Sequence, residues 1–249
     1  MMQLGPTIFT WLGQACFLIT TMMGTHILVD PPNPQVGYAI KAHSVPASIV
    51  FVSHEHPDHN WTEAAANAGP LPPRIVQPFP LSPGTLEDTG TYTHKVGDQP
   101  TQRVKYIRIS AFHDNANGTK SGPDTLTVIE TGGLRILHMG DIGQFQLTST
   151  QLKEIGRVDV LMIPVGGFYT VDGTQAAGLV KQLRPRVILP MHYGTPALNP
   201  DLREKLAPPA AFLAAMKAHA AVVHLSARSL KLSPGMLPAT PTIYMLRYE

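Results

Sequence analysis

Residues 54–59 read His-Glu-His-Pro-Asp-His, so His54, His56, Asp58 and His59 offer four candidate metal ligands within six positions. Neutral imidazole nitrogens mixed with carboxylate oxygens suit borderline ions such as zinc, and also manganese or iron, better than calcium, which takes oxygen alone. Three more candidates, His113, Asp141 and His192, each stand directly after a stretch that reads as a strand. A lone His or Asp near a helix start is ordinarily a cap. That reading serves for one residue and does not account for HxHxDH backed by three such partners. The pattern predicts a site for divalent transition metal, with zinc the expected ion.

The elements that must hold these side chains follow from residue patterning. TIFTWLGQACFLITT, MMGTH and ILVDP read as antiparallel strands joined by a Gly-containing turn, and SIVFVS is a short β-branched strand ending at the first histidine. WTEAAANA reads as a helix with residues 58–60 at its N-terminus, while prolines across 71–83 exclude regular structure there. TQRVKYIRISAF is a strand leading into His113; DNANGTKSGPD is a long loop; TLTVIET and LRILHMGD flank Gly132-Gly133 as a hairpin ending at Asp141. DVLMIPVGG, DGTQAAGLVKQL and RVILPMHYGT form a βαβ unit ending at His192, after which PPAAFLAAMKAHA is a helix and AVVHLS and TIYMLRY are closing strands. Sheets at both ends with helices between and after them predict an α/β fold, a four-layer αβ/βα sandwich of two mixed sheets flanked by helices. One domain over 1–249 is expected, with strand ends converging on one rim.

Composition narrows the function. Of 249 residues 43% are hydrophobic and 14% charged, too apolar for a disordered chain, and a net charge of +2 without a Lys/Arg run offers no footprint for nucleic acid. Cys16 lies inside the apolar run FTWLGQACFLI and reads as a core thiol. The first basic side chain is Lys41, so no secretory n-region is seen, and no run reaches the ~20 apolar residues of a membrane span. A cytoplasmic location and a small-molecule substrate are expected. A homo-oligomer is allowed, although no heptad or exposed stripe marks one.

HEHPDH, together with LVDP, the isolated His113, HMGD and PMHYGT in that order, resembles the metallo-β-lactamase fold superfamily over nearly the whole chain. WLGQACFLI and MIPVGGFYTVDGTQA are similar to the metal-dependent hydrolases related to ascorbate-6-phosphate lactonase and N-acyl-phosphatidylethanolamine phospholipase D. The resemblance implies two metal ions: His54, His56 and His113 on the first, Asp58, His59 and His192 on the second, and Asp141 bridging both. Asp30 would orient a ligand from behind, or simply form a turn before Pro31 and Pro32. Paired ions roughly 3.5 to 4 Å apart share a water and lower its pKa, so the nucleophile is solvent and not Cys16, with Asp58 available to accept a proton.

His138 is expected to support Asp141 or pack in the core. Tyr169, Asp172 and Tyr193 follow strands on the same rim and either contact substrate or build the pocket wall. His26, His43, His94, His219 and His224 show no partner pattern and read as surface or core residues. The expected reaction is hydrolysis of a small ester, lactone or phosphoester. A phospholipase D-like phosphodiesterase, with an apolar groove between the loops 71–83 and 114–124, and a non-catalytic metal-stabilised binding protein are the alternatives. A nuclease would need a basic exosite, di-iron oxygen reduction an added flavin domain, and drug-degrading β-lactamases a different ligand set.

Overall fold

Along the first strand, β1 (Thr7–Gly13), buried and half-buried positions alternate, so that Phe9 and Trp11 enter the core while Ile8 and Thr10 stand on the other face. The computed structural model describes residues 5–78, 87–94 and 102–248. β2 (Cys16–Thr20) and β3 (His26–Val29) continue an antiparallel meander from β1. β4 (Val45–Ala47) pairs in parallel with β6 (Ala65–Asn67) as a separate ribbon, while β5 (Ile49–Phe51) and β7 (Arg74–Val76) extend the meander in parallel.

A second sheet begins with β8 (Glu87–His94), β9 (Gln102–Phe112), β10 (Pro123–Thr131) and β11 (Leu134–His138), all antiparallel. Helix α1 (Ser149–Ile155) leads to β12 (Val160–Pro164), α2 (Gly173–Leu183) and β13 (Val187–Met191). Both strands are buried at every position and pair in parallel, as strands covered on two faces must. After α3 (Pro200–Lys205) and α4 (Ala210–Met216) come β14 (Ala221–His224), β15 (Ser229–Leu232) and β16 (Thr242–Met245). The orders are β15-β1-β2-β3-β5-β7 and β14-β16-β13-β12-β11-β10-β9-β8.

The two sheets share one apolar core, in which Phe9, Phe17 and Phe51 of the first meet Val104, Tyr106 and Ile109 of the second. This is the expected sandwich, with its helices gathered after β11. The outer face of the first sheet is closed by a smaller cluster around Leu28, Val50 and Val52, against which Val45, Ala47, Ala64 and Ala65 pack. Arg108 joins the sheets: from β9 its buried guanidinium donates to the carbonyls of Val52 (2.6 Å) and Gln77 (2.8 Å). Among the described residues no helix is long and apolar enough to cross a membrane.

Two local expectations are corrected, and one strand is added. WTEAAANA is not a helix: Thr62–Ala64 make one 3₁₀ turn and residues 65–67 become β6. Alanine's helix preference is weak beside the burial of Ala64 and Ala65 against the β4 ribbon, so residues 58–60 lie in a turn and cap nothing. Arg74–Val76 form an edge strand inside the Pro-rich stretch, since Pro72, Pro73 and Pro78 flank it without interrupting its ladder. Residues 79–83 of that stretch lie outside the described residues. Finally, β15, between the two recognised closing strands, crosses to pair with β1.

Candidate metal centre

Strand ends meet on one rim. The chain leaves β5 through Val52 and Ser53 into His54, β9 into His113, β11 through Met139 and Gly140 into Asp141, and β13 into His192. His192 is held at φ 50 by two backbone bonds, donating to Gln14 O at 3.1 Å and accepting from Gly166 N at 3.1 Å. At Gly140 (φ 51) an added Cβ would lie 2.2 Å from Asp124 Oδ1 and 2.9 Å from Ser53 Cβ, so only glycine lets Asp141 reach the site unstrained.

Asp141 Oδ2 is the focus. It lies 3.2 Å from His59 Nε2, 3.2 Å from His192 Nε2, 3.3 Å from His113 Nε2 and 3.9 Å from His54 Nε2. Asp58 Oδ2 stands 3.4 Å from His59 Nε2 and 3.5 Å from His192 Nε2. The donor atoms fall into two groups, His54, His56 and His113, and Asp58, His59, Asp141 and His192, each within 4.8 Å. All seven expected ligands are thus brought together. The Nε2 atoms of His54, His59 and His192 are buried and make no well-formed hydrogen bond, although those of His59 and His192 stand at ion-pair distance from Asp58 and Asp141. Such nitrogens cost free energy unless a cation takes them, so the donor set fits a metal.

Behind these atoms runs a polar layer. Asp30, fully buried, accepts from Ser53 N (2.7 Å) and Ser53 Oγ (2.6 Å) and sits 2.9 Å from His59 Nδ1. Ser53 Oγ also lies 2.9 Å from His54 Nδ1. His138 faces Ala15 O through Nε2 (2.8 Å) and accepts from Gly140 N at Nδ1 (3.1 Å), which fixes one neutral tautomer and supports the turn into Asp141. Two members were not foreseen. Gln14 Nε2 donates to Asp58 Oδ2 at 3.0 Å, and Asp124, fully buried, accepts from Asp141 N at 3.3 Å. Neither Asp124, at the start of β10, nor Gln14 carries a sequence signal that marks it.

Burial and mutual charge set the protonation of the cluster. Burial pushes His54 down to about 3. Burial also acts to lower His192, but Asp141 and Asp58 outweigh it and carry the imidazole up to about 9. His59 is raised in the same way. Burial would raise the Asp58 and Asp141 carboxyls, yet the surrounding imidazoles hold both well below the usual carboxylate range. For Asp124 burial prevails, pushing it up to about 7.

The remaining expectations divide. Tyr169 borders the cavity over the cluster, whereas Asp172 and Tyr193 do not. Asp172 is instead the cap of α2, accepting from Thr174 N and Gln175 N, and Tyr193 is 7% exposed with its ring 5.2 Å from Trp11 in the core. Cys16 is fully buried and burial raises its thiol well above the ordinary range, as a core residue. His219 and His224 are exposed, His26 pairs with Thr20 Oγ1 and His43 with Ala65 O; the His94 side chain lies outside the described residues. The cavity has a volume of about 350 Å³, with His56, Asp58, His113 and Asp141 at its base and Val36, Pro57, Tyr169 and Leu202 among its walls.

Residues 8–192 match the Beta-lactamase superfamily domain. A metal-dependent hydrolase of Anaeromyxobacter sp. (strain K) is 32% identical over 210 residues, covering 77% of this chain and 76% of the relative. One from Thermococcus onnurineus is 31% identical over 204 residues, covering 78% and 88%. Among solved structures, a Thermotoga maritima protein described as a Zn-dependent hydrolase of the metallo-beta-lactamase superfamily superposes with a TM-score of 0.64 at 29% identity, covering 96% of this chain and 98% of that one. Igni18, a metallo hydrolase from Ignicoccus hospitalis, shares the fold at 22% identity and a TM-score of 0.57, covering 86% and 91%. By sequence, fold and rim geometry together, the chain belongs to the metallo-β-lactamase superfamily, within its UPF0173 group of metal-dependent hydrolases.

Proposed function

We propose that the chain, acting as one hydrolase domain, uses two divalent transition-metal ions, zinc by choice of donors, to hydrolyse a small ester, lactone or phosphoester. His54, His56 and His113 would hold one ion, Asp58, His59 and His192 the other, and Asp141 both. The observation that carries this reading is the convergence of the buried Nε2 atoms of His54, His59 and His192, none in a well-formed hydrogen bond, around one Asp141 oxygen. When bound, paired ions supply a water-derived nucleophile at neutral pH and charge for the developing oxyanion.

The chain's own residues do the rest. Asp58 is 22% exposed and borders the cavity, where its carboxylate, held ionised by the surrounding imidazoles, can orient an attacking water and accept its proton. Gln14 holds that carboxylate in place. Asp30 and Ser53 keep the Nε2 atoms of His54 and His59 aimed forward. A cavity of about 350 Å³ suits a small molecule better than a two-chain lipid, which favours a lactonase-like or esterase-like reaction over a phospholipase. The cavity also opens onto His56, Asp58, His113 and Asp141, the accessible side that a purely structural metal site lacks. A cytoplasmic setting belongs to this reading and rests on Cys16 as a lone buried thiol.

The test is element analysis of the purified chain with an ester, lactone and phosphodiester panel, run on wild type and His56→Ala. About two metal equivalents per chain and loss of turnover in the variant are expected. Turnover indifferent to both chelation and the substitution would overturn the assignment.

A further inference from the structure

We propose that Lys205 and Tyr169 form a receptor, at the mouth of the metal cavity, for a carboxylate of the substrate that takes no part in the reaction. This deepens the hydrolase reading above and rests on it for the identity of the cavity.

Residues spaced by three on a helix share a face. Asn199, the cap of α3, and Leu202 both border the cavity, and Lys205 is the next residue on that face, continuing the wall outward. The Lys205 ammonium donates to Tyr169 Oη across 3.1 Å, and Tyr169 itself borders the cavity. No ion pair found among the described residues includes Lys205, although Asp201 and Glu204 lie on the same helix. An ammonium carries three donors, so one is used on Tyr169 and two are left. Because Tyr169 Oη accepts from Lys205, its own O–H is free to donate. Two donors 3.1 Å apart, one of them charged, match the two oxygens of a single carboxylate.

The lysine is also held in place. Its Nζ lies 5.5 Å from the Phe168 ring centroid and 5.8 Å from that of Tyr169, and the two rings are 4.6 Å apart. Phe168 is 69% exposed and adopts φ 63, a conformation that a bulky residue keeps only where its surroundings impose it. Here the Gly166–Asp172 bridge and the Asp172 cap close the loop on both sides. This strained, exposed ring packs edge-to-face on Tyr169 and stands over the ammonium, which restricts a side chain that would otherwise sweep freely. A charge held in advance loses less freedom when a ligand arrives.

The experiment is calorimetric titration of the zinc-loaded full chain with matched acids: succinate against butyrate, glutarate against pentanoate, adipate against hexanoate. Metal contact by one carboxylate is common to both members of a pair and cancels in their ratio. At least one diacid is expected to bind about fivefold more tightly than its partner. That ratio should fall to about one in Lys205→Gln, persist in Lys205→Arg and shrink in Tyr169→Phe, with unchanged melting temperatures because Lys205 is exposed. Equal affinities in all three pairs, no binding of any acid, or a preference surviving Lys205→Gln would overturn the proposal. The titration needs no turnover, so failure of the hydrolase reading, seen in the substrate panel, is read separately.

Discussion

Asp30 Oδ2 lies 2.9 Å from His59 Nδ1 and takes the Ser53 hydroxyl at 2.6 Å, while that hydroxyl's oxygen faces His54 Nδ1 at 2.9 Å. One buried carboxylate thus backs an imidazole in each of the two donor groups, through a continuous chain His54–Ser53–Asp30–His59. With Nδ1 engaged on both rings, both present Nε2 to the rim.

Removing that carboxylate should therefore weaken both donor groups together. Asp30→Ala is expected to lower metal affinity by about 10- to 100-fold, measured by competition with a chromophoric chelator. Ser53→Ala, which breaks only the His54 arm, should weaken binding less. Full affinity in Asp30→Ala would show that the layer behind the ligands is dispensable.

Gly140→Ala places a methyl group against Asp124 Oδ1 and Ser53 Cβ at a positive φ. A loss of about 1–3 kcal/mol in stability is expected, with reduced metal content, because Asp141 leaves the same turn. Chemical denaturation with element analysis measures both; a neutral result would contradict the packing described.

The Arg108 guanidinium donates to the carbonyls of Val52, two residues before His54, and of Gln77. Arg108→Met keeps the stem and strands these acceptors. A cost of about 2–4 kcal/mol is expected in urea unfolding, and a change under half of that would count against a role in joining the sheets.

Asp141 and Asp58 push the His192 imidazole up to about 9, so in the metal-free chain at pH 7 it is expected to carry a proton that a metal must displace from Nε2. Zinc binding should release protons, seen as a buffer-dependent calorimetric enthalpy, and tighten as pH rises toward 9. The stability relation has the opposite sign. A folded value raised above 6.5 stabilises the metal-free fold fully below pH 6.5, and that contribution is lost as pH rises through about 9. The urea midpoint of stripped protein should therefore fall over that window; proton uptake on zinc binding would refute the assignment outright.

The candidate ligand set was legible because metal binding asks for particular residue types: HxHxDH is local, and His113, Asp141 and His192 each come after a strand. What failed depended on tertiary context. Ala64 and Ala65 prefer a helix in isolation and a ribbon once β4 is beside them. For the expected substrate-side residues the structure places the Asp172 carboxylate on the first turn of α2 and the Tyr193 ring against Trp11, arrangements that only the folded chain reveals. Gln14 and Asp124 matter only because Asp58 and Asp141 arrive next to them from far along the chain.

The pairing of Thr7 with Leu232 sets an order of events during synthesis. A ribosome releases the N-terminal hairpin first, but its outer edge has no neighbour until more than two hundred further residues have emerged. Until then β1 is an exposed template for stray strands, and such distant closure is slow. The nascent protein should accordingly depend on a holding chaperone, or on fast hairpin collapse, far more than its finished form would suggest.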